Sequence, residues 1–206
     1  MMRAAWRRLC AVAALAPVAM AARAQDVPYA FPASLPAATR AELTRLADSA
    51  RAAGIPTDPI VLKAAEGVLK GAEPARIVRA ARSLVAEYGG VRGLLARDAS
   101  PALLTAAVNV LRAGMPRPAL VDMLAAGSGD DTTLAAGLVA AADLVTNGVP
   151  ASRAASAVTQ LLRRRAPEAA LLELRAGVAR DVANGGAPDA ALGARLSGIL
   201  GGMRPP

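Results

Sequence analysis

The only two lysines of this 206-residue chain, Lys63 and Lys70, flank Glu66 within the stretch GIPTDPIVLKAAEGVLKGAEPARI, residues 54 to 77. On a helix the spacing i, i+3, i+7 places all three on one side. Two chemistries fit that arrangement. In the first, Glu66 is a general acid in a carboxylate-dependent hydrolase, which requires a second carboxylate or a desolvated pocket to raise its pKa. The sequence names no such partner, and two neighbouring ammonium groups favour the ionised form and lower the pKa. In the second, i, i+3 and i, i+4 ion pairs stabilise an exposed helix face, and the two flexible ammonium groups are available at a partner-binding surface.

Further cationic candidates are Arg76, Arg79 and Arg82, three residues apart in the next periodic run, and Arg163-Arg164-Arg165 at the end of a later one. The second group sits where cations complement the C-terminal end of a helix dipole. A solvated face and a cap account for both groups, and weak contact with an anionic surface such as lipid headgroups or lipopolysaccharide is the functional alternative. No aromatic residues interleave with these arginines as single-strand nucleic-acid binding requires, so no specific nucleic-acid partner is implied.

Much other chemistry is excluded by composition. The chain has no histidine, one cysteine (Cys10), and 2% aromatic residues. Residues 1 to 24 read as a secretory signal: Arg3, Arg7 and Arg8 precede an apolar run from Leu9 to Ala22, interrupted by Pro17, and Ala22-Arg23-Ala24 supplies a small-x-small cleavage site before Gln25. A second such site, Ala19-Met20-Ala21, precedes it. The run is shorter than the roughly 20 apolar residues that span a bilayer, and Cys10 lacks the apolar residue three positions upstream that lipidation needs. Cleavage after Ala24 removes four of the 24 basic residues and none of the 16 acidic ones, so the formal charge falls from +8 to +4. It also removes Cys10 and Trp6. The mature chain then has neither imidazole nor thiol for Ser-His-Asp or Cys-His catalysis, for zinc or copper ligation, or for disulfides. No metal or cofactor is implied, and no segment after the signal is long enough to cross a membrane.

The elements that must position these side chains are helices. By count 54 residues are Ala, the best helix former, while β-branched and aromatic content is too low for pleated faces. Apolar residues recur at helical spacing: Leu43, Leu46 and Ala50; Ile77, Ala81, Leu84 and Tyr88; Leu104, Ala107 and Leu111; Leu134, Leu138, Ala141 and Val145; Leu171, Leu174, Val178 and Val182. The pattern predicts helices near 36–53, 59–70, 74–96, 101–113, 117–126, 132–147, 150–165, 167–184 and 188–199. Residues 25 to 35, with Pro28, Pro32, Tyr29 and Phe31, read as an extended arm pinned by its aromatics. Residues 36 to 200 form one helical domain, and residues 201 to 206 a flexible tail.

One punctuation recurs between the helices: Gly54-Ile55-Pro56, Gly114-Met115-Pro116, Gly148-Val149-Pro150 and Gly186-Ala187-Pro188, with a looser copy at Gly71-Ala72-Glu73-Pro74. Glycine just past a helix takes the left-handed conformation, the apolar residue packs back, and proline opens the next helix. The fold class is therefore all-α, an array of antiparallel helix hairpins joined by Gly-x-Pro turns, either solenoid-like or a compact multi-helix bundle. Asp58 and Ser100 are placed to cap helices from the residue before a proline, Gly89, Gly90 and Gly93 to break the third helix, and Asp130 or Asp131 to cap the helix after the GSGDDTT loop (127–133). That loop lacks the alternating carboxylates of a calcium loop. Taken together, the residues point to an exported, non-enzymatic helical module that binds a protein or peptide partner in the cell envelope, with the Glu66 hydrolase of an envelope polymer as the alternative.

Overall fold

Six of the eight helix-to-helix joints close with the same two backbone hydrogen bonds, the exceptions being those between the third and fourth and between the fifth and sixth helices. At the first, the Gly54 N–H donates to the Arg51 carbonyl (3.0 Å) and the Ile55 N–H reaches back to the Ala50 carbonyl (2.9 Å). This pair is the Schellman motif, which satisfies carbonyls that the helix end would otherwise leave without partners. It recurs with Gly71 and Ala72, Gly114 and Met115, and Gly148 and Val149, each glycine having a positive φ. The apolar residue that follows is driven inward: Ile55, Met115 and Val149 are all buried.

The computed structural model describes residues 29–96, 98–127 and 130–203. Among the described residues the chain is all-helical, with nine helices and no strand. They are α1 (Ala37–Ala52), α2 (Asp58–Leu69), α3 (Pro74–Arg92), α4 (Pro101–Arg112), α5 (Arg117–Ala126), α6 (Asp131–Thr146), α7 (Ala151–Arg163), α8 (Glu168–Ala183) and α9 (Pro188–Gly202). The expected signal segment 1–24, residues 25–28 of the arm, Arg97, Ser128 and Gly129 of the 127–133 loop and residues 204–206 of the tail lie outside the described residues.

Helices of alternate rank pack side by side, α4 on α6 and α6 on α8 in one row, α5 on α7 and α7 on α9 in another. The start of the chain adds α1 against α3 and α2 against α3. One hydrophobic cluster runs through the molecule from Leu35 to Ile199 and is built largely from Ala, Leu and Val. Alanine faces let the helices approach closely, and at three points glycine allows closer contact still: a Cβ on Gly137 would stand 3.3 Å from Leu162 Cδ2, one on Gly177 would be 2.9 Å from Arg195 Cδ, and one on Gly67 would be 2.7 Å from Ile77 Cγ1. The periodic stripes face this core, with Leu43, Ala50, Ile77, Ala81, Leu84, Tyr88, Leu171, Leu174 and Val178 all buried.

The described part of the arm is pinned to α1. The Tyr29 hydroxyl donates to Asp48 Oδ1 (2.9 Å), the Arg51 guanidinium lies 4.7 Å from the Tyr29 ring centroid, and the Phe31 ring tilts against Tyr29. Leu35 completes the anchor in the core.

Four expectations need correction. The left-handed glycine of the last joint is Gly185 (φ +88), not Gly186; the Gly186 N–H instead donates to the Asp181 carbonyl, and a Cβ on Gly186 would stand 2.9 Å from that oxygen. A sixth joint, Arg165-Ala166-Pro167, has no glycine: Arg165 itself takes φ +53, and Ala166 N–H bonds the Leu161 carbonyl while Ala166 is buried. Asp58 is the first residue of α2 rather than its cap, because Thr57 holds the N-cap position with helical dihedrals and makes no side-chain cap bond. Gly89 and Gly90 lie inside α3, which ends at Arg92 rather than 96, where the chain turns through Gly93 and brings Leu94 and Leu95 onto the core. In addition, α9 continues to Gly202, with Met203 packed behind it. Ser100 and Asp130 cap as expected: Ser100 Oγ accepts from the Leu103 N–H, and Asp130 accepts from the N–H groups of Thr132 and Thr133.

Candidate functional site

Helix α2 starts with Pro59 in its first turn and is closed at the Gly71 joint, so Lys63 within it and Lys70 at its C-cap project from an element with both ends fixed. Lys63 Nζ donates to Glu66 Oε2 and Lys70 Nζ to Glu66 Oε1, each at 2.5 Å. The hydrogen bonds from Lys63 and then Lys70, reinforced by their charges, pull the Glu66 pKa from 4.5 down to about 2. Its side chain is 42% exposed, so no burial opposes the shift appreciably. Glu66 is a carboxylate with both oxygens engaged, and near neutral pH it holds no proton to donate.

The α2 residues line one side of a cleft of about 480 Å³, and the start of α3 lines the other with Glu73, Arg76, Ile77 and Ala80. Of the six residues singled out by spacing, the fold brings together Lys63, Glu66, Lys70 and Arg76. Arg79 and Arg82 do not line the cleft; each step of three residues rotates about 60° around α3, and Arg82 reaches α1, where its guanidinium pairs with Glu42. Arg163, Arg164 and Arg165 also diverge. The first two line a groove between α5 and α7 beside Asp122 and Thr159, whereas Arg165, with its left-handed backbone, lines a separate cleft with Asp130 and Thr133.

Most arginine chemistry is structural. Arg112 forms a two-pronged pair with Glu87 (2.9 and 2.6 Å) joining α4 to α3, and Arg195 does the same with Asp181 (2.7 and 2.6 Å), joining α9 to α8. Arg112 and Arg195 are shifted upward and Asp181 downward, as pairing requires, chiefly through these hydrogen bonds. Arg153 with Asp189 and Arg175 with Asp143 tie α7 to α9 and α8 to α6. Asp130 is likewise spent on its cap, its pKa lowered first by the Thr133 hydroxyl. Among the described residues no group of three or more His, Cys, Asp or Glu side chains could hold a metal ion.

What spacing arguments did not single out is the apolar part of this surface. Leu62 is 68% exposed and Leu69 88%, and they lie seven residues apart on the α2 face opposite the buried Ile60 and Ala64. A second cleft, of about 550 Å³, borders that face on its other side, between Leu62 and Val61 of α2 and Tyr29 and Arg51. Helix α2 is thus a ridge between two clefts. Gly67 sets its depth, since only a residue without Cβ lets α2 lie this close to Ile77. The signal in the sequence was a glycine inside a helical pattern, which costs about 1 kcal/mol relative to alanine.

No protein-family model, curated protein or solved structure matches the chain.

Proposed function

We propose that the protein is an exported, non-enzymatic helical module that binds a protein partner along the outer face of α2. The observation that carries this reading is the pair of leucines, Leu62 and Leu69, standing in water on a ridge with a cleft on each side. A single exposed leucine is ordinary. Two on one helix face, each forgoing roughly 1.5–3 kcal/mol of burial, form a surface that gains by being covered, and the lysines beside them supply polar contacts at the rim. Export is supported by the basic, apolar and small-residue pattern of residues 1–24. Among the described residues, no helix is long and apolar enough to cross a membrane.

The hydrolase alternative gains a second carboxylate, since Glu73 lines the same cleft as Glu66. The proton argues against it. A general acid works best with a pKa near the working pH, and the two lysines hold Glu66 at about 2.

The test is capture from an envelope extract on the immobilised protein, compared with the Leu62→Gln/Leu69→Gln variant. Both positions are exposed and Gln is a good helix former, so the fold is retained, as circular dichroism will verify. Proteins retained by the wild type should be lost from the variant. Equal retention would overturn the proposal.

A further inference from the structure

Hydroxyl groups recur along helix α7. Ser152, Ser156 and Thr159 stand at i, i+4 and i+7, and Arg163 continues the row at i+11. The four therefore share one side of the helix over about 16 Å. With Ala119 and Asp122 of α5 they line a groove of about 650 Å³, to which Gln160 and Arg164 also contribute.

Thr159 distinguishes this groove from an ordinary solvated helix face. It is 8% exposed, and apart from Tyr88 no other polar side chain among the described residues is buried. Thr105 and Thr146 return their hydroxyls to the carbonyl four residues back. The Thr159 hydroxyl has no hydrogen-bond partner among the described residues. No buried side-chain oxygen or nitrogen there is sealed off without a partner, so this hydroxyl opens on the groove that Thr159 lines. An enclosed hydroxyl without a partner forgoes a hydrogen bond, and a polar ligand seated in the groove would supply one.

The charges of the groove are likewise without partners. Arg112, Arg153, Arg175 and Arg195 each close on a carboxylate of a neighbouring helix. Arg163 and Arg164 form no ion pair with a described residue, and neither does Asp122 on the α5 side. Opposite charges thus line one groove without meeting, which leaves room between them for a molecule that answers both.

Those groups set the chemistry of the occupant. Two guanidiniums select an acidic group, which they hold by charge-assisted hydrogen bonds. Asp122 repels a bare anion and calls for a donor beside that acid. Three hydroxyls and the Gln160 amide each donate and accept, which matches a ligand whose own groups do both, as sugar hydroxyls do. A nucleotide is disfavoured because no aromatic side chain lines the groove for a base to stack on. A peptide is disfavoured because Ala119 and Ala155 are the only apolar residues of the lining, which leaves no pocket for its side chains.

We propose that the groove between α5 and α7 binds an acidic saccharide, a sugar bearing a carboxylate or a phosphate, with the acid on Arg163 and Arg164 and ring hydroxyls on Thr159 and Asp122. The site shares no residue with the clefts beside α2 and does not rest on the partner surface proposed there.

The experiment titrates the purified protein with glucuronic acid, glucose 6-phosphate, glucose and inorganic phosphate, followed by amide chemical shifts. At least one of the two acidic sugars should bind roughly tenfold more tightly than either glucose or inorganic phosphate and should shift amides of α5 and α7. The tighter of the two tells whether the acid is a carboxylate or a phosphate. Arg163→Gln/Arg164→Gln should remove the advantage of the acidic sugar over glucose. Thr159→Val should weaken binding roughly threefold to tenfold. Because that hydroxyl bonds nothing in the fold, the melting temperature of Thr159→Val should not fall, whereas loss of a structural hydroxyl would lower it. The proposal is overturned if neither acidic sugar binds, if inorganic phosphate binds as tightly as they do, if the affinity survives Thr159→Val, or if the dipeptide Gly-Glu binds in their place.

Discussion

Gly67 and Ile77 meet so closely that a Cβ on the glycine would stand 2.7 Å from Ile77 Cγ1 and 3.1 Å from Cδ1. Ile77 is buried and β-branched, so it has little room to turn away. Gly67→Ala should therefore destabilise the protein by about 1 kcal/mol, the overpacking cost of roughly 1–3 kcal/mol exceeding the helix-propensity gain of about 1. Gly89→Ala, inside α3 with nothing within 4 Å of an added Cβ, should stabilise by about 0.5–1 kcal/mol. Thermal melts of the two variants should move in opposite directions, and a rise for Gly67→Ala would mean that α2 and α3 are not held this closely.

The joints predict a second pair of opposite signs. Gly148 has φ +88, and a Cβ there would also meet Pro188 Cγ at 3.3 Å. Gly148→Val should cost about 1–2 kcal/mol or more, the steric penalty of a left-handed β-branched residue. Arg165 already bears such strain at φ +53. Arg165→Gly should raise stability by up to about 1 kcal/mol, relief of strain outweighing the added freedom of the unfolded chain. Lys70→Gln, which removes one exposed ion pair, should change the melt far less than Gly148→Val.

Glu66 sets a pH signature. Its folded pKa of about 2 lies below the ordinary 4.5, so its pairing stabilises the fold fully above the unfolded value and is lost as pH falls through the folded one. Unfolding titrations of wild type and Glu66→Gln should therefore differ by a constant amount above about pH 5. The difference should shrink between pH 4.5 and about 2 and be gone below. A difference that instead grew on acidification would show a raised pKa and restore Glu66 as an acid. The purified protein should turn over no peptidoglycan, peptide or ester substrate, and turnover abolished by Glu66→Gln with the fold intact would reverse that expectation.

Maturation provides the last prediction. N-terminal sequencing of protein recovered from outside the cytoplasm should begin at Gln25, following the Ala22-Arg23-Ala24 site. A chain retaining Met1 in the membrane fraction would contradict cleavage.

The helices and most joints could be read from the chain because both are local. A glycine's access to positive φ, two hydrogen bonds within six residues, and an apolar residue that folds back are all encoded side by side, as at Gly54, Gly114 and Gly148. Where two glycines adjoin, as at Gly185 and Gly186, composition cannot select the left-handed one; closure on the Asp181 carbonyl does. Arg165 shows the converse, since packing of Ala166 into the core imposes a conformation that its own side chain disfavours. The Lys63, Glu66 and Lys70 cluster was likewise legible, because helical pitch alone joins i, i+3 and i+7. Which arginines join it was not. Arg76 reaches the cleft and Arg82 reaches Glu42 only because α3 lies between α2 and α1. Nor does periodicity reveal which apolar residues remain in water. Leu62 and Leu69 are as apolar as Ile60, and they face outward because Gly67 seats α2 on Ile77 and leaves its opposite side uncovered. Burial is a relation between helices, and it exists only once the tertiary structure has formed.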